Sequence, residues 1–193
     1  MSSLARLLEA AAANFLAVAK SGYVDDTDRA VDAIASAFER GNKLLVFGNG
    51  GSAADAQHIC AELVVRFTRE RRGLPAIALT CNPSTMTACG NDYGFARVFQ
   101  RQIEALGRPG DVAWGISTSG DSPNVVEALK YARDHQVTTI GLTGAGGGAM
   151  APYCDVLMAV PLSETPRIQE VHLVTYHSIC EQVEERIFRA GNA

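Results

Sequence analysis

KLLVFGNGGSAADAQH, residues 43–58, runs from an apolar stretch straight into a glycine-rich turn and then into residues with helical spacing. An apolar run with no polar alternation reads as a strand covered on both faces. The glycines make a tight turn, and Ser52 with Asp55 three residues on predicts the N-cap of a helix. Strand, glycine turn and helix in that order open a parallel α/β sheet.

Four more runs of the same kind follow: PAIALT (75–80), DVAWGI (111–116), VTTIGL (137–142) and DVLMAV (155–160). Helical spacing fills 52–70, 94–106 and 122–135, so strand and helix alternate. The pattern predicts an α/β fold, a doubly wound five-stranded parallel sheet flanked by helices, with ligands beyond the carboxyl ends of the strands. Ahead of the sheet, Leu4, Leu7, Leu8, Ala11, Phe15 and Val18 form a stripe that one helix cannot bury alone. A second helix over 26–40, stopped at Gly41, could cover it, and so could the arm of another subunit. With 193 residues, 47% of them hydrophobic, the chain reads as a single domain over 1–193 whose residues 1–40 form an N-terminal helical arm.

Against 21 acidic residues stand 17 Lys and Arg, a net charge of -4. No global positive field exists to hold nucleic acid or an anionic membrane, so any phosphate must be bound locally. The five cysteines, Cys60, Cys81, Cys89, Cys154 and Cys180, are odd in number and lack a CxxC pair. They read as reduced buried thiols of a cytoplasmic protein. Glu9 and Asn14 interrupt the apolar start, and no run reaches membrane-spanning length, so the first residues read as a helix of the mature protein.

Two loops have the chemistry to hold phosphate. The amides that open the helix after Gly48 can accept an anion. Gly48, Gly50 and Ala53 also match the loose GxGxxG/A dinucleotide pattern, but the second strand ends Thr80-Cys81-Asn82, without the acidic residue a ribose needs, and no GK[ST] ending supports a Walker A loop. ISTSGDSPN (116–124) follows the third strand with hydroxyls at Ser117, Thr118, Ser119 and Ser122 and a helix starting at Ser122 or Pro123. Either loop alone is also what a Ser/Gly turn looks like. Two at one sheet edge point to a phosphorylated ligand. A third glycine run, TGAGGGAM (143–150), reads as a turn and helix entry.

Asp55, His58 and Glu62 fall on one face of the helix behind the first loop. An imidazole and a carboxylate four residues apart can share a metal, work as an acid/base pair, or form a solvated hydrogen bond. The last helical segment carries Gln169, His172 and His177. The two histidines differ by about 140° around a helix, so one of them is structural, and spacing does not say which. Gln169 and His177 lie roughly 12 Å apart along the axis, so a shared metal needs both side chains to lean inwards.

The segments GNGGSAADAQHICAEL, GNDYGF, GISTSGDSPNV, LTGAGGG and RIQEVHLVTYH resemble, in order and spacing, the phosphoheptose isomerases of the SIS family, whose members bind phosphosugars. The resemblance covers nearly the whole chain. It implies a SIS domain and a zinc ion, one per subunit, on His58, Glu62, Gln169 and His177, which selects His177 over His172. It implies an acid/base pair of Glu62 and His177, with Asp55 a supporting carboxylate. Asn49, Gly50, Gly51, Ser52, Glu62, Asn91, Asp92, Ser117, Thr118, Ser119, Ser122 and Gln169 match the family's substrate contacts. The implied reaction is a ketose–aldose isomerisation through an enediol, from sedoheptulose 7-phosphate to D-glycero-D-manno-heptose 7-phosphate, at the head of ADP- or GDP-heptose synthesis, in a homotetramer. The competing expectation is a non-catalytic relative that binds phosphosugars or associates with the replication initiator; that lineage lacks the counterparts of Glu62 and His177.

Overall fold

A computed structural model describes residues 2–189. Five parallel strands, β1 (Leu44–Gly48), β2 (Ala76–Ala78), β3 (Val112–Ser117), β4 (Thr138–Thr143) and β5 (Val156–Ala159), form one sheet in the order β2-β1-β3-β4-β5. Each predicted apolar run overlaps its strand. Because the side chains alternate across the sheet, Leu44 and Val46 enter the core on one face while Leu45 and Phe47 enter a second core on the other. Strand order reverses at β1, so a topological switch point opens between β1 and β3, where both predicted loops emerge.

On the first face lie α2 (Tyr23–Glu39), α3 (Gly51–Val64) and α7 (Thr165–Ile187); on the second lie α4 (Pro83–Tyr93), α5 (Val98–Leu106) and α6 (Pro123–Asp134). The arm expected over 1–40 divides in two. α2 is built into the core through Ala30, Val31, Ile34 and Phe38, whereas α1 (Ser3–Ala19) buries only Val18 of its residues. The third glycine run turns into a short 3-10 helix, Gly148–Tyr153, as its reading anticipated.

The helix expected over 52–70 stops at Val64, and the cause lies far along the chain, in α7. Glu184 of α7, fully buried, accepts the N–H groups of Phe67, Thr68 and Arg69 at 3.0, 2.9 and 2.7 Å, so these amides are withdrawn from helical carbonyls. Arg71, ion-paired to Glu184 at 2.7 Å, caps the helix end by donating to the carbonyls of Glu62 (2.8 Å) and Leu63 (2.7 Å). Burial by itself would raise the Glu184 carboxyl, but these donors hold it down to about 2. A helix that the apolar pattern missed, α4, starts at Asn82, whose side chain accepts from Thr85 N–H at 3.0 Å with Pro83 in the first turn.

Candidate active site

α3 begins at Gly51, one residue before the predicted cap. Ser52 is therefore the second helical residue, buried, and no side chain caps the first amides, which stay available to a ligand. A Cβ on Gly51 would lie 2.7 Å from Gln169 Nε2, so the Gln169 amide of α7 rests against the backbone of Gly51 in space that a larger residue would take from it. Contacts continue in ascending order, His58 with Tyr176 and Phe67 with Glu184, so α3 and α7 run side by side in the same direction.

Two turns along this pair the titratable groups gather. His58 Nε2 lies 2.9 Å from Glu62 Oε1, and the His58 and His177 rings meet edge to face with centroids 5.0 Å apart. Ligand atoms of His58, Glu62 and His177 lie within 4.8 Å of one another. His177 Nε2 is buried without a hydrogen-bond partner, although buried polar atoms are nearly always satisfied. Two imidazoles and a carboxylate at this spacing are a donor set suited to zinc, and an orphaned ring nitrogen is what an ion would satisfy. Gln169 stands apart: its amide abuts Gly51, seven residues and about 10 Å before His58 along α3.

The two histidines of α7 separate as the helical angle requires. His172 is fully buried, its Nε2 lies 3.2 Å from Thr143 O, and burial lowers its pKa to about 4, so it is a neutral core residue. His177 faces the cluster. Burial and then neighbouring His58 lower its pKa, with Glu62 opposing them. Burial raises the Asp55 carboxyl, against a bond from Tyr176 and the proximity of His58. Tyr176 escaped the sequence reading because an aromatic in an apolar helix looks like core. The available signal was its spacing, seven residues after Gln169 and so on the same helix face. Burial, and then the charge of Asp55, keep its hydroxyl protonated.

The second loop is a ring of hydroxyls. Ser117 Oγ lies 3.0 Å from Ser122 Oγ and 3.4 Å from Ser119 Oγ, while Gly120 N–H donates to Ser117 Oγ at 3.2 Å. Ser122 holds the cap position of α6 with Pro123 as its first residue. Thr118 supplies its carbonyl to Gly144 N–H at 3.1 Å, and a Cβ on Gly120 would strike Gly147 O at 2.1 Å, so the third glycine run packs behind the loop as a buttress. Across the switch point Asn49 and Asn124 exchange two amide hydrogen bonds, 2.9 and 2.8 Å, and clasp one loop to the other. Asn91 and Asp92 lie in the last turn of α4, exposed, with a 2.8 Å hydrogen bond between them, and no described bond ties them to the cluster. Cys81 is exposed, unlike the buried Cys60, Cys89 and Cys180, and all five thiols are free.

Residues 9–144 match the SIS domain family. A phosphoheptose isomerase of Synechocystis sp. is 55% identical over 166 residues, covering 86% of this chain and 86% of the relative. One from Roseiflexus sp. is 57% identical over 155 residues, covering 80% and 79%. The phosphoheptose isomerase structure from Neisseria gonorrhoeae superposes with a TM-score of 0.89 at 42% identity, covering 94% of this chain and 97% of that one. The phosphoheptose isomerase from Francisella tularensis gives 0.90 at 37% identity, covering 96% and 100%. With a family model over residues 9–144 and relatives more than half identical over four fifths of the chain, the chain belongs to the phosphoheptose isomerase family of SIS-domain proteins.

Proposed function

We propose that this chain isomerises sedoheptulose 7-phosphate to D-glycero-D-manno-heptose 7-phosphate, the entry to an ADP- or GDP-activated heptose. The observation that carries the reading is the convergence of Glu62, His58 and His177 in a family of sugar-phosphate isomerases. The substrate's phosphate sits on the loop from Ser117 to Ser122, where hydroxyls and the amides opening α6 hold a dianion without a lysine. Asn49, Gly50, Gly51, Ser52 and Gln169 face the sugar, with Thr118, Asn91 and Asp92 completing the contacts the family resemblance implies.

Glu62 takes a proton from C1 of the ketose and returns it to C2, passing through the enediol. His177 gives a proton to the C2 carbonyl oxygen and receives one from the C1 hydroxyl. Burial favours its neutral form, and a neutral imidazole both donates and accepts. Asp55 supports the pair through Tyr176. Zinc, one ion per subunit, would be held by His58, Glu62 and His177, with Gln169 the fourth ligand that the family resemblance implies. When bound, it polarises the substrate oxygens as a Lewis acid. The exposed apolar face of α1 and the family resemblance together support a homotetramer, and the free thiols fit a cytoplasmic protein. No helix among the described residues is long and apolar enough to cross a membrane.

The decisive experiment incubates purified protein with sedoheptulose 7-phosphate, zinc supplied, and follows the sugar by NMR. Aldose phosphate signals should grow in; an inert protein under these conditions would move the chain to the phosphosugar-binding class.

A further inference from the structure

Tyr176 moves no proton in the chemistry just described, yet it sits at the centre of its hydrogen bonding. The side chain is 1% exposed, and its hydroxyl donates to Asp55 Oδ1 at 3.5 Å while lying 3.0 Å from His58 Nδ1. A tyrosine hydroxyl carries one proton, and an ionised carboxylate only accepts. With that proton directed at Asp55, the bond to His58 must run the other way, from Nδ1–H to the tyrosine oxygen. A neutral imidazole has a single N–H, so Nε2 is left as a bare lone pair. That lone pair faces Glu62 Oε1 at 2.9 Å, beside the orphaned Nε2 of His177. Acceptors that converge with no proton between them call for a cation. In the reverse chain, with Tyr176 donating to Nδ1, Nε2–H satisfies Glu62, the hydroxyl turns a lone pair towards Asp55, and the ligand position closes.

We infer that Tyr176 is a positioning residue: gripped by Asp55, its hydroxyl fixes His58 as the Nδ1–H tautomer and so keeps Nε2 open to a metal ion. The inference rests on reading His58, Glu62 and His177 as a metal site, and it adds the device that sets the ligand's tautomer.

The test is Tyr176→Phe, which removes one oxygen and keeps the buried ring. In metal-free, ¹⁵N-histidine-labelled protein above neutral pH, proton–nitrogen correlation spectra should show His58 as Nδ1–H in the wild type and as Nε2–H in the variant. Zinc affinity, measured by competition with a chromogenic chelator, should fall by about 10- to 100-fold. If Tyr176→Phe does not fold, Asp55→Ala frees the hydroxyl to donate to His58 and carries the same expectation with the tyrosine packing intact. A wild-type His58 in the Nε2–H form, or zinc binding within about twofold of wild type in the folded variant, would overturn the assignment. Neither readout involves turnover. A protein inert towards sedoheptulose 7-phosphate that still shows the tautomer change and the zinc loss would therefore sink the isomerase reading alone and leave Tyr176 in its role.

Discussion

Glu62 is held from two sides: its carboxylate meets His58, and its carbonyl is capped by Arg71. The backbone is thus fixed without the carboxylate, whose side chain keeps 22% of its surface exposed. Glu62→Gln should then leave the melting temperature near that of the wild type while kcat drops by about 10² to 10⁴, the usual contribution of a positioned base. His177→Gln should lose turnover and, on dialysis and elemental analysis, zinc. His172→Gln should do the opposite. Its ring fills a buried site against Thr143, so the substitution should cost about 1–3 kcal/mol of stability and spare kcat. Unimpaired turnover in Glu62→Gln would remove the acid/base assignment. The helical angle separated the two histidines from sequence; choosing between them took the resemblance, because the choice depends on which neighbour α7 packs against.

At the scale of elements, the strands were legible because burial on both faces leaves an unbroken apolar run, and the glycine and serine loops because hydroxyls and helix starts have a fixed order in the chain. The end of α3 was not legible. What stops it is the Arg71–Glu184 pair, and no local pattern reports a carboxylate arriving from another helix. That pair predicts an acid transition. The Glu184 carboxyl falls from its ordinary 4.5 to about 2 in the fold, so its stabilisation is complete above 4.5 and lost as pH drops from there towards 2. The shift corresponds to roughly 3 kcal/mol. Glu184→Gln should flatten that part of the stability–pH curve in urea titrations. Near neutral pH it should destabilise the protein by about 3–5 kcal/mol, since Arg71 stays buried and unpaired. A curve identical to wild type between about pH 5 and 2.5 would show that the pair does not hold the segment.

For the whole molecule, one surface is unfinished. Leu4, Leu7 and Leu8 of the stripe read from sequence are 61%, 47% and 60% exposed, and Leu16 beside it 63%, so the stripe is covered only from Ala11 to Val18. Light scattering should give a homotetramer, and Leu4→Glu with Leu8→Glu should split it, because charge cannot be buried there without a partner. A monomeric wild type at micromolar concentration would return α1 to solvent. The pairing of α3 with α7 bears on how the chain comes into being. Synthesis delivers all five strands before α7, and domains begin folding from the amino end. Until α7 arrives, His58 and Glu62 have neither His177 nor Tyr176 beside them, and the amides after α3 have no Glu184. If the proposed roles of Glu62 and His177 hold, a chain ended before α7 should therefore show no isomerase activity, whatever part of the sheet it forms.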